Sequence, residues 1–146
     1  MENTVINKFR GDYFFLSNFA PCNVYYNGKR FRTVEHAFQA AKCLTDEEQD
    51  IFKFVETPAE AKQWGKTVKL RPDWENVKID IMKELLYQKF HNTLYKDKLL
   101  ATKNKELVEG NEHKDTFWGV YRGEGKNILG KLLMEVRTEL MKELDE

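Results

Sequence analysis

Thr33-Val34-Glu35-His36-Ala37-Phe38-Gln39-Ala40-Ala41-Lys42 is the stretch at which the chain changes period. Val34, Ala37, Phe38 and Ala41 fall at helical spacing on one apolar face, and Thr33 stands where a hydroxyl can cap the first turn. Before this point the pattern is that of strands. Tyr13 to Leu16 is aromatic-rich, and Asn23 to Tyr26 and Lys29 to Phe31 flank Asn27-Gly28. Asn-Gly between two such segments predicts a hairpin, because both turn positions need positive φ. After the stretch come helix start signals. Thr45-Asp46-Glu47-Glu48 is a capping box opening a helix to about Phe54. Thr57-Pro58-Ala59-Glu60 is another, with proline at the first helical position, and its helix is expected to end near Gly65.

Further along, Pro72 to His91 predicts a long helix with Trp74, Val77, Ile81, Leu85 and Phe90 near its apolar side. A further helix runs to about Ala101, followed by short strands at Leu107-Val108 and Thr116 to Tyr121 and a tight loop at Gly123 to Gly125. Asn127 to about Leu140 closes the chain as a helix with Leu129, Leu132, Leu133, Val136 and Leu140 inward. Strands at the start and late in the chain around a helical middle give an α+β class, mostly helical, with a small sheet formed by the N-terminal strands and hairpin and the late short strands. The length of 146 residues suits one domain spanning 1–146. The strand–helix alternation of a doubly wound sheet is missing, as are dinucleotide and phosphate-loop glycine motifs.

Composition narrows the class. With 41% hydrophobic and 33% charged residues, the chain reads as a packed globule and not as a disordered one. No apolar run approaches the roughly 20 residues of a membrane span, so no membrane partner is expected. Met1 to Arg10 is polar and unlike a secretory signal, and Cys22 and Cys43 read as free thiols. A cytoplasmic location follows as the expectation. Twenty-four basic residues balance twenty-four acidic ones, so no overall field draws the chain to nucleic acid or anionic lipid. A local basic pocket for one or two phosphates is compatible with that sum.

Three clusters carry groups with chemistry. Glu35, Gln39 and Lys42 share a helical face at i, i+4, i+7, with Glu35 in the first turn, where the helix dipole favours an anion. A carboxylate, an amide and an ammonium suit water activation and a polar ligand; the same pattern also describes a solvated face opposite a core face. His36 reads as structural, and the three histidines lack metal-ligand spacing, so no metal is expected. The second cluster is Asp115-Thr116-Phe117-Trp118-Gly119, leading through Gly123-Glu124-Gly125 to Asn127. It offers a base, a stacking ring and a cap at a helix start whose N–H groups can take a phosphate; an ordinary strand, loop and cap would look the same. Ser17-Asn18-Phe19 before Ala20-Pro21 either lines a cleft or makes a turn.

Taken in order and at these distances, the motifs resemble the NADAR family, the YbiA-like N-glycosidases, along nearly the whole chain. The matching residues are Ser17-Asn18-Phe19, the Thr33 to Lys42 stretch, Trp74 before Lys78 and Met82, and Lys89-Phe90. Leu99 to Thr102, Leu107 to Glu109, Asp115 to Gly119, Gly125 to Gly130 and Leu133 to Arg137 continue the match. The chain departs at Tyr121, where the family usually has a second glycine, and at Phe14-Phe15, where a glycine is common.

The resemblance implies a mostly helical α+β fold and hydrolysis of ribosyl N-glycosidic bonds without a cofactor or obligate protein partner. Two substrate classes go with it: phosphoribosylamino-pyrimidine intermediates of riboflavin synthesis, and ADP-ribose attached to guanine in nucleic acid. By the family pattern, Glu35, Trp74, Asp115 and Trp118 are pocket residues, with Lys42 carried beside them. Ser17, Asn18, Phe19, Gln39, Gly119 and Asn127 are expected to contact substrate, and Arg10, with Arg32 and Arg122, to meet phosphate. Two mechanisms stay open. Glu35 and Asp115 can stabilise an oxocarbenium ion and activate water, or Lys42 can form a Schiff base at C1′. The rival of another class is a non-catalytic module binding ADP-ribose or nucleotide in the same pocket.

Overall fold

The computed structural model describes residues 4–145, so the first three residues of the polar leading stretch lie outside the described residues. In chain order the elements are β1 (Val5–Ile6), a 3₁₀ segment (Gly11–Leu16), β2 (Val24–Tyr26), β3 (Lys29–Phe31), α1 (Val34–Ala41), α2 (Asp46–Phe54) and α3 (Pro58–Gly65). They continue as α4 (Trp74–Lys89), α5 (Thr93–Leu100), β4 (Glu106–Leu107) and α6 (Ile128–Leu144). The class is α+β with helix dominant. Two compact units divide the chain: a continuous one, Asn18–Lys89, and a discontinuous one built from the residues up to Ser17 and those from Phe90 onward.

In the continuous unit the hairpin forms around Asn27 (φ 52°) and Gly28 (φ 74°), pairing Val24 with Phe31 and Tyr26 with Lys29. Asn27 is also tied down by its side-chain amide, which donates to Asp46 and Gln49, each at 2.9 Å. Three threonines start three helices. Thr33, Thr45 and Thr57 each accept the N–H of the residue three positions on, satisfying a donor that a helix start leaves unpaired. α1 packs against α2, α3, α4 and the hairpin, and every residue from Val34 to Ala41 is buried. The apolar face anticipated from spacing is therefore only part of it: α1 has no wet side. Phe38 meets Trp74 of α4 with ring centroids 5.0 Å apart and planes tilted by 51°, a contact worth about 0.5–1.5 kcal/mol beyond its burial.

The discontinuous unit is held by a parallel pair, Val5 opposite Glu106 and Ile6 opposite Leu107. α6 packs on β4 and α5, with Leu129, Leu132, Leu133, Val136 and Leu140 all buried as their spacing requires. Its buried Arg137 donates to the Thr102 hydroxyl at 2.9 Å.

Several boundaries and two element types differ from expectation. Tyr13 to Leu16 is not a strand but the end of the 3₁₀ segment, closed by i+3 bonds from Tyr13 N–H to Arg10 and from Ser17 N–H to Phe14. Phe15 and Leu16 are buried side by side, which an alternating strand facing one core does not give. Thr116 to Tyr121 is also not a strand. The carbonyls of Thr116, Phe117, Trp118 and Gly119 accept N–H groups of Lys126, Ile128, Leu129 and Asn127, so the start of α6 takes what a sheet neighbour would have taken. Only isolated bridges, Gly110 with Val120 and Tyr121 with Glu124, remain there. The late strand lies one residue earlier than expected and pairs with β1, which the pattern did not announce. α4 is shorter than expected at both ends, and Met82, Leu86 and Lys89 are buried where Val77 and Ile81 are half-exposed. α6 runs on to Leu144.

Candidate active site

Glu35 lies in the first turn of α1 and is 8% exposed. Its backbone N–H donates to the carbonyl of Asn18 at 3.1 Å, which stitches the Ser17-Asn18-Phe19 segment to the helix start on the Asn18 side. Its side-chain Oε2 accepts from Gln39 Nε2 at 2.6 Å, the i, i+4 contact that the spacing allows. Gln39 is 5% exposed, and its Oε1 has no hydrogen-bond partner among the described residues. Asn18 donates its amide to the Met82 sulfur at 3.6 Å, while its Oδ1 is buried with no partner among the described residues. A buried carboxylate with a fixed donor and two orphaned amide oxygens beside this helix start makes a polar interior that packing alone does not call for.

Two lysines belong to the same unit. Lys42 caps the C-terminus of α1, where the helix dipole favours a cation. Burial nevertheless lowers its pKa below the ordinary lysine value, with Glu35 pulling the other way. The Lys42 carbonyl accepts the Arg71 N–H at 2.9 Å, and Arg71 is itself clamped by Asp73 at 2.6 Å and Tyr26 at 2.7 Å. Lys89, at the end of α4, is fully buried, and burial pushes its pKa down to about 7, opposed by Cys22. Sequence reading passed over it as a lysine among matching motif residues. Its signal was phase: Lys89 stands four after Leu85 and seven after Met82, on the stripe α4 buries.

His36 is the structural residue its position suggested. With Nε2 protonated, the ring donates to the Val55 carbonyl at 2.9 Å and Nδ1 accepts from the Thr33 hydroxyl at 2.8 Å. Burial holds its pKa below the usual value. Trp74 is 5% exposed with its ring on Phe38, so most of its surface serves the core. Phe19 is half-buried.

In the discontinuous unit, Asp115 organises a loop. Its Oδ1 accepts the N–H groups of Phe117 at 3.0 Å and Trp118 at 2.9 Å, an Asx turn that sets the direction of both rings. Phe117 and Trp118 stand edge to face at 4.9 Å. Asn111, which sequence reading missed, is the hub beneath them. Its amide donates to the carbonyls of Asp115 at 2.9 Å and Val120 at 3.3 Å and to Glu109 Oε2 at 3.1 Å, while its Oδ1 accepts the Asp115 N–H. Gly119 is buried against this hub, and a Cβ there would collide with Glu109 and Asn111.

Asn127 requires a correction. It sits at the N-terminus of α6 with φ 51°, but its side chain does not cap the helix. It bridges instead to the β4 region, donating to Leu107 O and accepting from Glu109 N–H, both at 2.9 Å. The N–H groups of Ile128 and Leu129 are taken by the Phe117 and Trp118 carbonyls, so those donors of the first turn are not available to a phosphate. Arg10 is exposed beside the 3₁₀ segment, and Ser17 ends that segment half-buried.

The NADAR domain model matches residues 6–141, a span that includes the whole continuous unit and most of the discontinuous one. This chain belongs to the NADAR domain family. It is 39% identical to N-glycosidase YbiA of Escherichia coli (strain K12) over 96% of this chain and 91% of that protein. N-glycosidase Npun_R5314 of Nostoc punctiforme is 39% identical over 85% of this chain and 83% of its own. The riboflavin biosynthesis protein PYRR, chloroplastic, of Zea mays is 38% identical over 86% of this chain, which spans 23% of that longer protein. The NMR structure of E. coli YbiA superposes with a TM-score of 0.88 at 39% identity, covering all of this chain and 90% of that one. Among the described residues no helix is long and apolar enough to cross a membrane, and no group of three His, Cys, Asp or Glu residues is placed to hold a metal ion.

Proposed function

We propose that this NADAR chain is an N-glycosidase that hydrolyses the C1′–N bond of a phosphorylated ribosyl compound, with a phosphoribosylamino-pyrimidine as substrate. The observation that carries the chemistry is Glu35: a carboxylate 8% exposed, in a helix first turn, fixed by Gln39. As the C1′–N bond breaks, positive charge grows on C1′ and O4′, and a desolvated carboxylate held in place stabilises that charge more than one in water. Water adds to C1′, its proton passes to a base, and the released amine nitrogen takes a proton on leaving. N-glycosidase relatives of similar length and riboflavin biosynthesis relatives support the reaction and the pyrimidine substrate respectively. A net charge of zero suits a small substrate better than a polyanion.

A lysine route is favoured by the half-burial of Lys42 at the end of α1, which lowers its pKa below the ordinary lysine value. A ribosylamine opens by breaking C1′–O4′, giving an imine. The neutral Lys42 amine adds to C1′ and expels the substrate amine, and water then clears the Schiff base as the ring recloses. Within the discontinuous unit, Asp115 fixes the direction of Trp118 through its turn. Among the exposed cations are Arg10, Arg32 and Arg122, the candidates for phosphate.

The test is base release from a phosphoribosylamino-pyrimidine and from ADP-ribosylated guanosine in DNA, run side by side with Glu35→Gln. Turnover of the pyrimidine compound, lost in the variant, supports the proposal. Turnover of the guanosine alone moves the substrate to the ADP-ribosyl class, and tight binding without turnover of either makes the chain a reader. Borohydride during turnover separates the routes: covalent sugar on Lys42 supports the lysine, and unlabelled protein leaves the carboxylate.

A further inference from the structure

Gly65 poses a question that its backbone does not answer. It is the last residue of α3, and a glycine in a helix costs about 1 kcal/mol relative to alanine. A helix-ending glycine ordinarily has positive φ, yet Gly65 is not among the glycines that do, and the cap is Lys66. Something other than conformation keeps a side chain away. A Cβ at Gly65 would collide with Oε1 and Cδ of Gln39, the amide whose other end donates to Glu35 at 2.6 Å. Gly65 and Gln39 are both buried, so neither has a solvent route around the collision.

We propose that Gly65 and Gln39 are positioning residues that aim the Glu35 carboxylate: the bare Cα of Gly65 seats the Gln39 amide oxygen, and this seat orients the Gln39 Nε2 donor onto Oε2. The proposal rests on Glu35 as the reactive carboxylate. It also accounts for the unpartnered Gln39 Oε1. An amide turned to give its donor group to Glu35 faces its oxygen the other way, and there Gly65 has no side chain to meet it. Gln39 thereby acts on Glu35 and not on substrate. α3 enters the site through a residue without a side chain, which a search for chemical groups would pass over.

The experiment measures kcat and KM on the phosphoribosylamino-pyrimidine for Gly65→Ala, Gln39→Ala, Gln39→Met and the double variant Gly65→Ala with Gln39→Ala, with Glu35→Gln as reference. Displacing Glu35 lowers kcat roughly 10- to 100-fold in either alanine variant, with KM little changed. The double variant is no slower than Gln39→Ala, because the collision has lost its partner. Gln39→Met fills the same space without a donor and is as slow as Gln39→Ala, which a purely structural role does not require. Wild-type kcat in Gln39→Met, or losses that multiply in the double variant, overturns the proposal even if Gly65→Ala alone does not fold. Full activity of Glu35→Gln is a different failure, since it removes the reactive carboxylate and the reading beneath.

Discussion

Replacing Lys89 with methionine should remove a pH dependence of stability that the wild type carries. Lys89 is fully buried, and its pKa falls from 10.5 to about 7, chiefly through desolvation. The native group is therefore the one with the lowered value. Between the two values the unfolded chain binds the proton that the native chain has released, so stability rises with pH across this window. From pH 7 to pH 9 the difference in bound protons integrates to about 2 kcal/mol of added stability. Cys22 and Cys43 act in the opposite sense. Burial raises both thiols, Cys43 to about 11, so their contribution is lost as pH climbs through the unfolded thiol value of 9.0. Cys43 is common to wild type and Lys89→Met and cancels in the comparison, while Cys22, whose thiol Lys89 pulls down, is replaced by serine in both proteins. Urea unfolding followed by tryptophan fluorescence at pH 7, 8 and 9 reads the effect. With a slope of about 2 kcal/mol/M, the wild-type midpoint should climb roughly 1 M further than that of the variant. Parallel midpoints in the two proteins would refute a neutral buried amine and mean that Lys89 is charged and compensated in the folded state.

Other expectations are shorter. Thr33→Ala should cost about 1–2 kcal/mol in denaturant unfolding, since one hydroxyl both caps α1 and serves His36 Nδ1. His36 has a lowered native pKa, so its stabilisation is present above the unfolded value near 6.5 and is lost as pH falls through that region. A His36→Gln variant should show a flatter unfolding midpoint between pH 7 and 5. Asp115→Asn keeps an acceptor for the Phe117 and Trp118 N–H groups, so its unfolding midpoint should match wild type, while Asp115→Ala should lose about 1 kcal/mol. A fall in kcat confined to Asp115→Ala assigns Asp115 to the turn, and an equal fall in Asp115→Asn assigns its charge to the chemistry.

Local signals were the legible ones. Thr33, Thr45 and Thr57 announced three helices because a cap is decided within four residues, and Asn27-Gly28 announced the hairpin for the same reason. What was not legible depended on distant partners. Val5–Ile6 is too short to have a period, and its neighbour is β4. Thr116 to Tyr121 has strand-like composition, yet its carbonyls cap α6, a choice made by the return of the chain and not by propensity. Spacing put Glu35 and Gln39 on one face, and the Glu35–Gln39 bond bears out that proximity. Lys89 and Gly65 were not legible. A buried lysine looks like any snorkelling one until the whole stripe is known, and a glycine at a helix end looks like a cap until its φ is known.

The discontinuity of one unit bears on how the chain is made. All of Asn18–Lys89 has been made before β4 begins, whereas β1 waits for a partner at Glu106–Leu107. At about 5–20 residues per second that wait lasts roughly 5–20 s, during which Val5 and Ile6 have no strand to pair with. A nascent chain stalled after residue 89 carries a whole continuous unit and an N-terminal tail still without its sheet. Synthesis speed, more than any single contact, sets how long that tail is open to other partners.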